Sequence, residues 1–267
     1  MHILLLFLIF NLGLVSAQSE AEISKRIEVS PFKNTVIANN KEINKNMIEK
    51  SNTLTAIVIG ATGAVGSDLV KQLCEDNTFQ NIELFVRRNI PADHPKIHVH
   101  VIDFDHPKMW KDKVKGDVIF SCLGTTLKQV GTEEAQWKID HNYPLEFAEA
   151  ARENGVKKYV LVSSIGADKD SRIFYLKMKG MLEEDIKKLG SPSVAILRPA
   201  GLIRKNSDRL REKILIKATQ FFNALGLFLA QRPLKTESVA SAMINIAKSN
   251  DKGHKTFSVQ EILDYAK

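Results

Sequence analysis

Four residues in the second half of the chain have side chains suited to proton transfer at a carbonyl group: Ser163, Ser164, Tyr175 and Lys179. Tyr175 and Lys179 are spaced i, i+4 within a predicted helix, so both project from the same face. A lysine ammonium beside a phenol favours the phenolate and lowers the pKa of the tyrosine from about 10 towards neutrality. Such a tyrosine can exchange a proton with a carbonyl oxygen while hydride is transferred.

The two adjacent serines follow a predicted strand, Lys158–Val162, and precede the helix that carries the tyrosine. A hydroxyl at that strand end can hold the same carbonyl oxygen in place. Because side chains alternate along a strand, Ser163 and Ser164 point in opposite directions. We slightly favour Ser163 and keep both as candidates. Lys179 can also reach the ribose hydroxyls of a nucleotide cofactor. A Tyr–Lys pair at this spacing is common on helix surfaces, so the catalytic interpretation depends on these neighbours.

A glycine turn near the start of the predicted domain supplies a site for such a cofactor. Ala56–Ile59 is an apolar, β-branched run typical of a strand buried on both faces. Gly60, Gly63 and Gly66 follow at three-residue spacing and lead into a predicted helix. These glycines permit a tight turn, a close approach to a pyrophosphate, and close packing of the helix on the sheet. The phosphates then lie at the positive end of the helix. The cofactor-binding residues predicted here are Gly60, Thr62, Gly63, Ala64, Val65 and Gly66.

The second predicted strand, Ile82–Val86, ends in Arg87 and Arg88 instead of an acidic residue. In a dinucleotide site an acid at this place binds the ribose 2′-hydroxyl, whereas a 2′-phosphate requires cationic groups. Guanidinium groups bind phosphate through paired, charge-assisted hydrogen bonds. The arginine pair therefore indicates NADP(H) over NAD(H). The alternative is a pair of solvated surface arginines.

Two further strand ends are expected to contact the cofactor. Asp103 and Phe104 follow the third strand, where the carboxylate can approach the exocyclic amine of adenine and the ring can pack on the base. Leu123 and Gly124 follow the fourth strand, where a glycine lets the backbone pass close to the cofactor.

The elements that position these residues alternate between strand and helix. Such alternation predicts an α/β fold with a doubly wound parallel sheet, a Rossmann domain that binds ligands beyond the carboxyl ends of its strands. Beyond those already named, the predicted strands are Ile97–Ile102, Asp117–Ser121 and Val194–Leu197. The predicted helices after the glycine turn are Glu133–Asn154, Arg172–Leu189, Asp208–Leu229 and Lys235–Lys248, and the end of the chain is expected to be mostly helical.

The composition narrows the classes of partner. The 267 residues are 44% hydrophobic and 26% charged, as in an ordinary globular protein, and the formal net charge is +7. The lysines are interspersed with acids and form no basic stripe with aromatic residues, so we expect no nucleic-acid binding. The two cysteines, Cys74 and Cys122, and the seven histidines show no metal-ligand spacing, and we expect neither a metal site nor a disulfide.

The first 52 residues differ from the rest. Ile3–Val15 is apolar and leads to small residues ending at Ala17, which predicts a signal peptide over 1–17, although no positive charge precedes it. The apolar run is short for a membrane span. Residues 18–52 are polar and predict a linker before a domain over 53–267. The alternative is translation from Met47, so the protein is exported if the leader is used and cytoplasmic if it is not.

These motifs together resemble the atypical short-chain dehydrogenase/reductases with a Gly-x-x-Gly-x-x-Gly turn, and among them the oxidoreductases related to the HIV Tat-interacting protein. The matching blocks run in order through residues 54–250: Gly60–Gly66, Val86–Arg88, Cys122–Thr126, Ser163–Asp168, Tyr175–Gly180 and Leu197–Pro199. The resemblance implies an NADP(H)-binding Rossmann domain with Tyr175 as proton donor or acceptor and Lys179 as its partner. It also implies that Arg198 and Pro199 border the nicotinamide pocket.

The expected function is NADP(H)-dependent oxidation or reduction of a small carbonyl or alcohol substrate. A segment with apolar periodicity, Ile214–Leu229, either roofs the substrate pocket or packs in the core or a homo-oligomer interface. One alternative is a binding protein whose contact with a protein partner depends on NADP(H), because some relatives implied by the resemblance act as regulators. Another is an epimerase-type enzyme that uses bound cofactor transiently with the same Ser, Tyr and Lys.

Overall fold

The computed structural model describes residues 53–203 and 232–267. The strands are β1 Leu54–Ile59, β2 Phe79–Val86, β3 Ile97–Val101, β4 Val118–Ser121, β5 Lys158–Val162, β6 Ser193–Leu197, β7 Leu202–Ile203, β8 Leu234–Lys235 and β9 Gly253–Phe257. The helices are α1 Ala64–Glu75, α2 Leu127–Val130, α3 Glu133–Trp137, α4 Tyr143–Glu153, α5 Phe174–Lys188, α6 Thr236–Lys248 and α7 Val259–Tyr265. A π-helical turn, Lys138–Asn142, joins α3 to α4, and two short 3₁₀ turns, Pro107–Met109 and Lys111–Lys113, precede β4.

Seven strands form one parallel sheet in the order β3-β2-β1-β4-β5-β6-β9. The chain first builds outward from β1 to β3 and then returns to the other side of β1. At the centre, Val58 pairs with Leu84 of β2 and with Phe120 of β4. The order reverses between β1 and β4, which is where a doubly wound sheet opens a crevice for a ligand. The predicted fold class is confirmed.

Helices cover both faces of the sheet, and the alternation of side chains along β1 explains why. Ala56 and Val58 belong to the hydrophobic cluster that α1, α6 and α7 complete, whereas Ile57 and Ile59 belong to the cluster on the opposite face with α4 and α5. All four side chains are fully buried. Burying a side chain the size of isoleucine contributes about 1.5–3 kcal/mol, so an uninterrupted apolar run is what a central parallel strand requires.

The end of the chain differs from the sequence-based prediction. It was expected to be mostly helical, but Gly253–Phe257 forms an edge strand of the main sheet, paired with β6. Its first three residues are exposed, so no apolar alternation marks it as a strand. The predicted helix over residues 133–154 is also interrupted, because the π-helical turn inserts between α3 and α4.

Several predictions concern residues outside the described ranges and stay predictions. They are the signal peptide over 1–17, the linker over 18–52, the helix over 208–229 and the apolar segment over 214–229. Within the described ranges, no helix is both long enough and apolar enough to cross a membrane.

Gly60 follows β1 with a φ of +80°, and a Cβ built on it would lie 2.5 Å from the carbonyl carbon of Cys122, the residue after β4. We expect Gly60→Ala to destabilise the protein by about 3 kcal/mol or more, because it combines left-handed strain with a clash against backbone that has no room to move. The measurement is the urea-unfolding midpoint. Gly155→Ala is the matched control, since Gly155 has the same φ of +80° but no atom within 4 Å of its Cβ position. Equal losses in the two variants would contradict the close-approach argument.

Candidate functional site

The carboxyl ends of the central strands are joined by backbone hydrogen bonds that bring the residues following them to one edge of the sheet. The Cys122 N–H donates to the Ile59 carbonyl at 2.9 Å, the Ser163 N–H donates to Leu197 at 2.8 Å, and the Arg198 N–H donates to the carbonyl of the last β9 residue at 3.0 Å. The segments that follow β1, β4, β5 and β6 therefore start side by side. Most of the predicted site residues lie in these segments.

The glycine turn forms a compact loop that leads directly into α1. The Gly63 N–H donates to the Gly60 carbonyl at 2.9 Å, and a Cβ on Gly66 would lie only 2.1 Å from that same carbonyl oxygen. Gly66 must therefore lack a side chain for α1 to pack on the end of β1. Gly63 is the N-cap of α1, with no side-chain cap and no acidic residue in the first turn. The positive end of the helix is left for an anion from outside the described chain.

A cavity of about 560 Å³ opens at this edge, a size typical of small-molecule and cofactor sites. Eight predicted cofactor-binding residues line it: Gly60, Thr62, Gly63, Arg87, Arg88, Phe104, Leu123 and Gly124. The other predicted cofactor residues do not line it, namely Ala64, Val65 and Gly66 inside α1, Asp103, Lys179, Arg198 and Pro199. The lining residues from the segment after β4 that were missed include Thr125, Gln129, Val130, Ile139 and Tyr143. Glycine backbone, an uncapped helix end and cationic groups on one wall fit a dinucleotide.

Arg87 and Arg88 both line this cavity and are both exposed. Within residues 53–203 and 232–267, neither guanidinium forms a salt bridge or hydrogen bond with a side chain, so their donors are available to a ligand. Two unpaired guanidinium groups at the end of β2 create a positive wall, which suits an anionic group such as a phosphate.

The side chains of Asp103 and Phe104 have different surroundings in the structure. The Asp103 carboxylate accepts the Asp105 N–H at 3.0 Å and lies 2.8 Å from Nδ1 of His106, and these contacts hold its pKa below the usual range. It therefore faces its own loop. Phe104 is buried and its ring packs against Tyr143, with ring centroids 5.0 Å apart, so it lines the cavity from inside the core.

The predicted catalytic pair lies on α5. Tyr175 is in its first turn and half-buried, and Lys179, one turn later, is only 2% exposed. The two serines differ in their surroundings. The Ser163 hydroxyl is buried and donates to Oε1 of Glu183 at 2.5 Å, whereas Ser164 is half-buried and its hydroxyl contacts the carbonyl of the next residue. The Ser164 hydroxyl is therefore the more available of the two for a hydrogen bond with a ligand.

Glu183 joins three elements at the base of this region. It is 1% exposed and accepts two hydrogen bonds from Arg198, from Nε at 3.0 Å and from Nη2 at 2.5 Å, besides the one from Ser163. These contacts raise the pKa of the Arg198 guanidinium and satisfy the buried carboxylate. Arg198, which was predicted to border the nicotinamide pocket, therefore already binds a residue of α5. Its contacts tie α5 to the ends of β5 and β6, and so help to position Tyr175.

Asp140, in the π-helical turn, is a buried acid that the sequence analysis missed. It is fully buried, and its Oδ1 accepts the backbone N–H of Thr125 at 2.8 Å. Gln136 donates to the carbonyl of the same threonine at 3.3 Å. The cavity-lining loop after β4 is therefore held at both backbone groups of Thr125. No periodicity could have indicated this, because the segment around Asp140 has the polar composition of a solvated helix.

Comparisons with known proteins agree with this architecture. Residues 60–250 match a protein family described as NAD(P)H-binding. Among similar proteins, "Protein FMP52, mitochondrial" from Debaryomyces hansenii is 35% identical over 200 residues, which covers 73% of this chain and 88% of that protein. The protein of the same name from Meyerozyma guilliermondii is 37% identical over 197 residues, with coverages of 72% and 84%.

Solved structures similar to the chain include several nucleotide-binding enzymes. The Bordetella bronchiseptica enzyme WbmF in complex with NAD+ has a TM-score of 0.57 at 18% identity, covering 81% of this chain and 77% of its own. UDP-glucose 4-epimerase from Thermotoga maritima, with UDP-glucose, has a TM-score of 0.57 at 14% identity and covers 76% of both chains. At these identities the likeness concerns the fold.

Proposed function

Because the chain belongs to the NAD(P)H-binding family, we propose that it is an NADP(H)-dependent oxidoreductase acting on a small carbonyl or alcohol substrate. The observation that carries the proposal is the unpaired arginine pair in a cavity that is also lined by the glycine turn at the N-terminus of α1. A nicotinamide cofactor supplies or accepts the hydride when bound. The choice of NADP(H) over NAD(H) depends on Arg87 and Arg88.

In this proposal different cavity residues bind different parts of the cofactor. Gly60 and Gly63 let the pyrophosphate approach the backbone closely, and the first N–H groups of α1 supply the unpaired donors that bind it. Arg87 and Arg88 bind the 2′-phosphate through charge-assisted hydrogen bonds. Asp103 is not assigned to the adenine, since its carboxylate already has partners within its own loop.

The proton chemistry is assigned to α5 and the end of β5. Tyr175 exchanges a proton with the substrate oxygen, and the ammonium of Lys179 favours the phenolate that forms when the proton is given up. Ser164 is favoured over Ser163 as the hydroxyl that holds the substrate oxygen, because the Ser163 hydroxyl already donates to Glu183. Arg198 contributes by holding α5 through Glu183.

A second candidate is an epimerase, which removes and returns a hydride with no net use of cofactor. Its support is the fold likeness to a UDP-glucose 4-epimerase, and the same tyrosine, lysine and serine would serve the reaction. An NADP(H)-sensing regulator with little turnover is the remaining alternative. The three candidates share cofactor binding and differ in what happens to the cofactor afterwards.

The experiment that tests the proposal is calorimetric titration of the full chain with NADPH and with NADH, followed by an assay of NADPH consumption over a panel of carbonyl compounds. We expect NADPH to bind at least about tenfold more tightly than NADH, a difference of about 1.4 kcal/mol or more, and to be consumed with some panel members. Binding without consumption would favour the epimerase or the regulator. Binding of neither nucleotide would remove the basis of all three functions.

A further inference from the structure

Asp140 combines three features that a structural acid rarely combines. It is fully buried, one carboxylate oxygen is used by the Thr125 N–H, and the other, Oδ2, makes no hydrogen bond within residues 53–203 and 232–267. Burial raises the pKa of this carboxyl group above its usual range, and the nearby Lys179 ammonium opposes the rise, as do hydrogen bonds from the Thr125 N–H and the Gln136 side chain. A buried charge without a partner is costly, so an acid in this position needs a cation.

Lys179 has the complementary features. It is 2% exposed, and in the described part of the chain its Nζ makes no hydrogen bond or salt bridge. It lies on α5, which packs against the π-helical turn that carries Asp140. An ammonium on a largely buried side chain is stabilised by an opposite charge, and the charge of Lys179 already lowers the pKa of the Asp140 carboxyl group.

Several other charged groups of α5 and of the π-helical turn have partners of their own. Glu183, one turn further along α5, is bound by Arg198 and Ser163. Asp185 of α5 pairs with His141 and Lys188, and Lys138 of the π-helical turn pairs with Asp105. The described chain buries two acids, Asp140 and Glu183, and Asp140 is the one with no cation bonded to it. Asp168, whose backbone packs against Gly180 of α5, is exposed.

We propose that Asp140 is the counter-ion of Lys179 and a positioning residue for the proposed reaction. Its Oδ1 holds the cavity-lining loop through the Thr125 N–H, and its Oδ2 holds the charge of the lysine that assists Tyr175. One carboxylate thereby connects the cavity-lining loop at Thr125 with α5, the helix that carries Tyr175 and Lys179. The functional part of the inference rests on the oxidoreductase activity proposed above, whereas the ion pair itself does not.

The ion pair is tested by carbon NMR titration of the full chain with ¹³C-labelled aspartate carboxylates, assigning Asp140 by the signal lost in Asp140→Asn. We expect Lys179→Met to raise the measured pKa of Asp140, because it removes an opposite charge whose attraction lowers that pKa. Lys177→Met is the matched control, because Lys177 lies on the same helix but is exposed. The inference would be overturned if Asp140 titrated with the same pKa in the wild type, in Lys179→Met and in Lys177→Met.

A second measurement remains informative if a single variant folds poorly. Asp140→Asn keeps an oxygen that can accept the Thr125 N–H but removes the charge, so it leaves the Lys179 ammonium without its counter-charge. We expect this variant to unfold at a lower urea concentration, and the double variant Asp140→Asn, Lys179→Met to recover most of the loss. Strictly additive losses, or a double variant less stable than both single variants, would contradict the pairing.

The positioning role has its own readout. With a substrate found in the panel assay, Asp140→Asn is expected to lower kcat roughly ten- to hundredfold, through misplacement of Lys179, with the Kd for NADPH within about twofold of the wild-type value. A kcat equal to that of the wild type would overturn the positioning role. If the wild-type protein binds no nucleotide while the NMR shift is observed, the proposed function fails and the ion pair stands, so the two failures are distinguishable.

Discussion

Tyr175→Phe is expected to lower kcat for carbonyl reduction about a thousandfold, because a positioned general acid contributes roughly 10²–10⁴-fold and the phenyl ring has no proton to give. The ring itself remains, so its packing at the start of α5 is preserved. The measurement is single-turnover oxidation of bound NADPH with an active substrate from the panel, which separates the chemical step from product release.

The control for this loss has two parts. The Kd of the variant for NADPH should equal that of the wild type within about twofold, since Tyr175 does not line the cofactor cavity. Tyr265→Phe removes a phenol hydroxyl that contacts Asp251 at the end of the chain, and it should leave kcat unchanged. An unchanged rate in Tyr175→Phe would show that the proton comes from another group.

The double replacement Arg87→Ala, Arg88→Ala is expected to weaken NADPH binding about a hundredfold or more. Hydrogen bonds to charged groups are worth about 1.5–3 kcal/mol each, and both guanidinium groups line the cavity without a competing carboxylate in the described chain. NADH has no 2′-phosphate, so its affinity should change by less than about threefold. Calorimetric titration with each nucleotide gives both values.

Salt provides a further check on the same assignment. The advantage of NADPH over NADH should shrink as ionic strength rises, because exposed charge pairs are screened over about 10 Å at 0.1 M salt. Arg152→Ala is the control, since Arg152 is an exposed arginine near the end of α4 and outside the cavity. Equal weakening of NADPH and NADH in the double variant would mean that the arginines do not bind the 2′-phosphate.

Much of the fold could be predicted from short stretches of sequence, because local physics determines them. The apolar run through Val58 suits a strand that is buried on both faces, and the spacing of Gly60, Gly63 and Gly66 suits a turn into a helix. The structure contains both elements, and it gathers eight predicted cofactor residues around one cavity. Arg87 and Arg88 were found for the same reason: the residue that ends a strand in this fold lies at the ligand-binding edge.

Contacts between distant segments could not be read from the sequence. The edge strand β9 has mostly exposed residues and pairs with β6, about sixty positions earlier in the chain, so no local pattern identifies it. Its existence depends on whether β6 has a free edge, which only the assembled sheet decides.

The sequence by itself determined the glycine turn, the cationic strand end and the i, i+4 spacing of Tyr175 and Lys179, because each depends on residues close together in the chain. The tertiary structure decided which polar groups are already paired. It joins the Ser163 hydroxyl to Glu183, twenty positions away, and leaves Ser164 the more available serine. It also buries Asp140 at a place where the charge of Lys179 lowers the pKa of its carboxyl group. The energy of a buried polar group depends on its partners, and those partners meet only when the chain has folded.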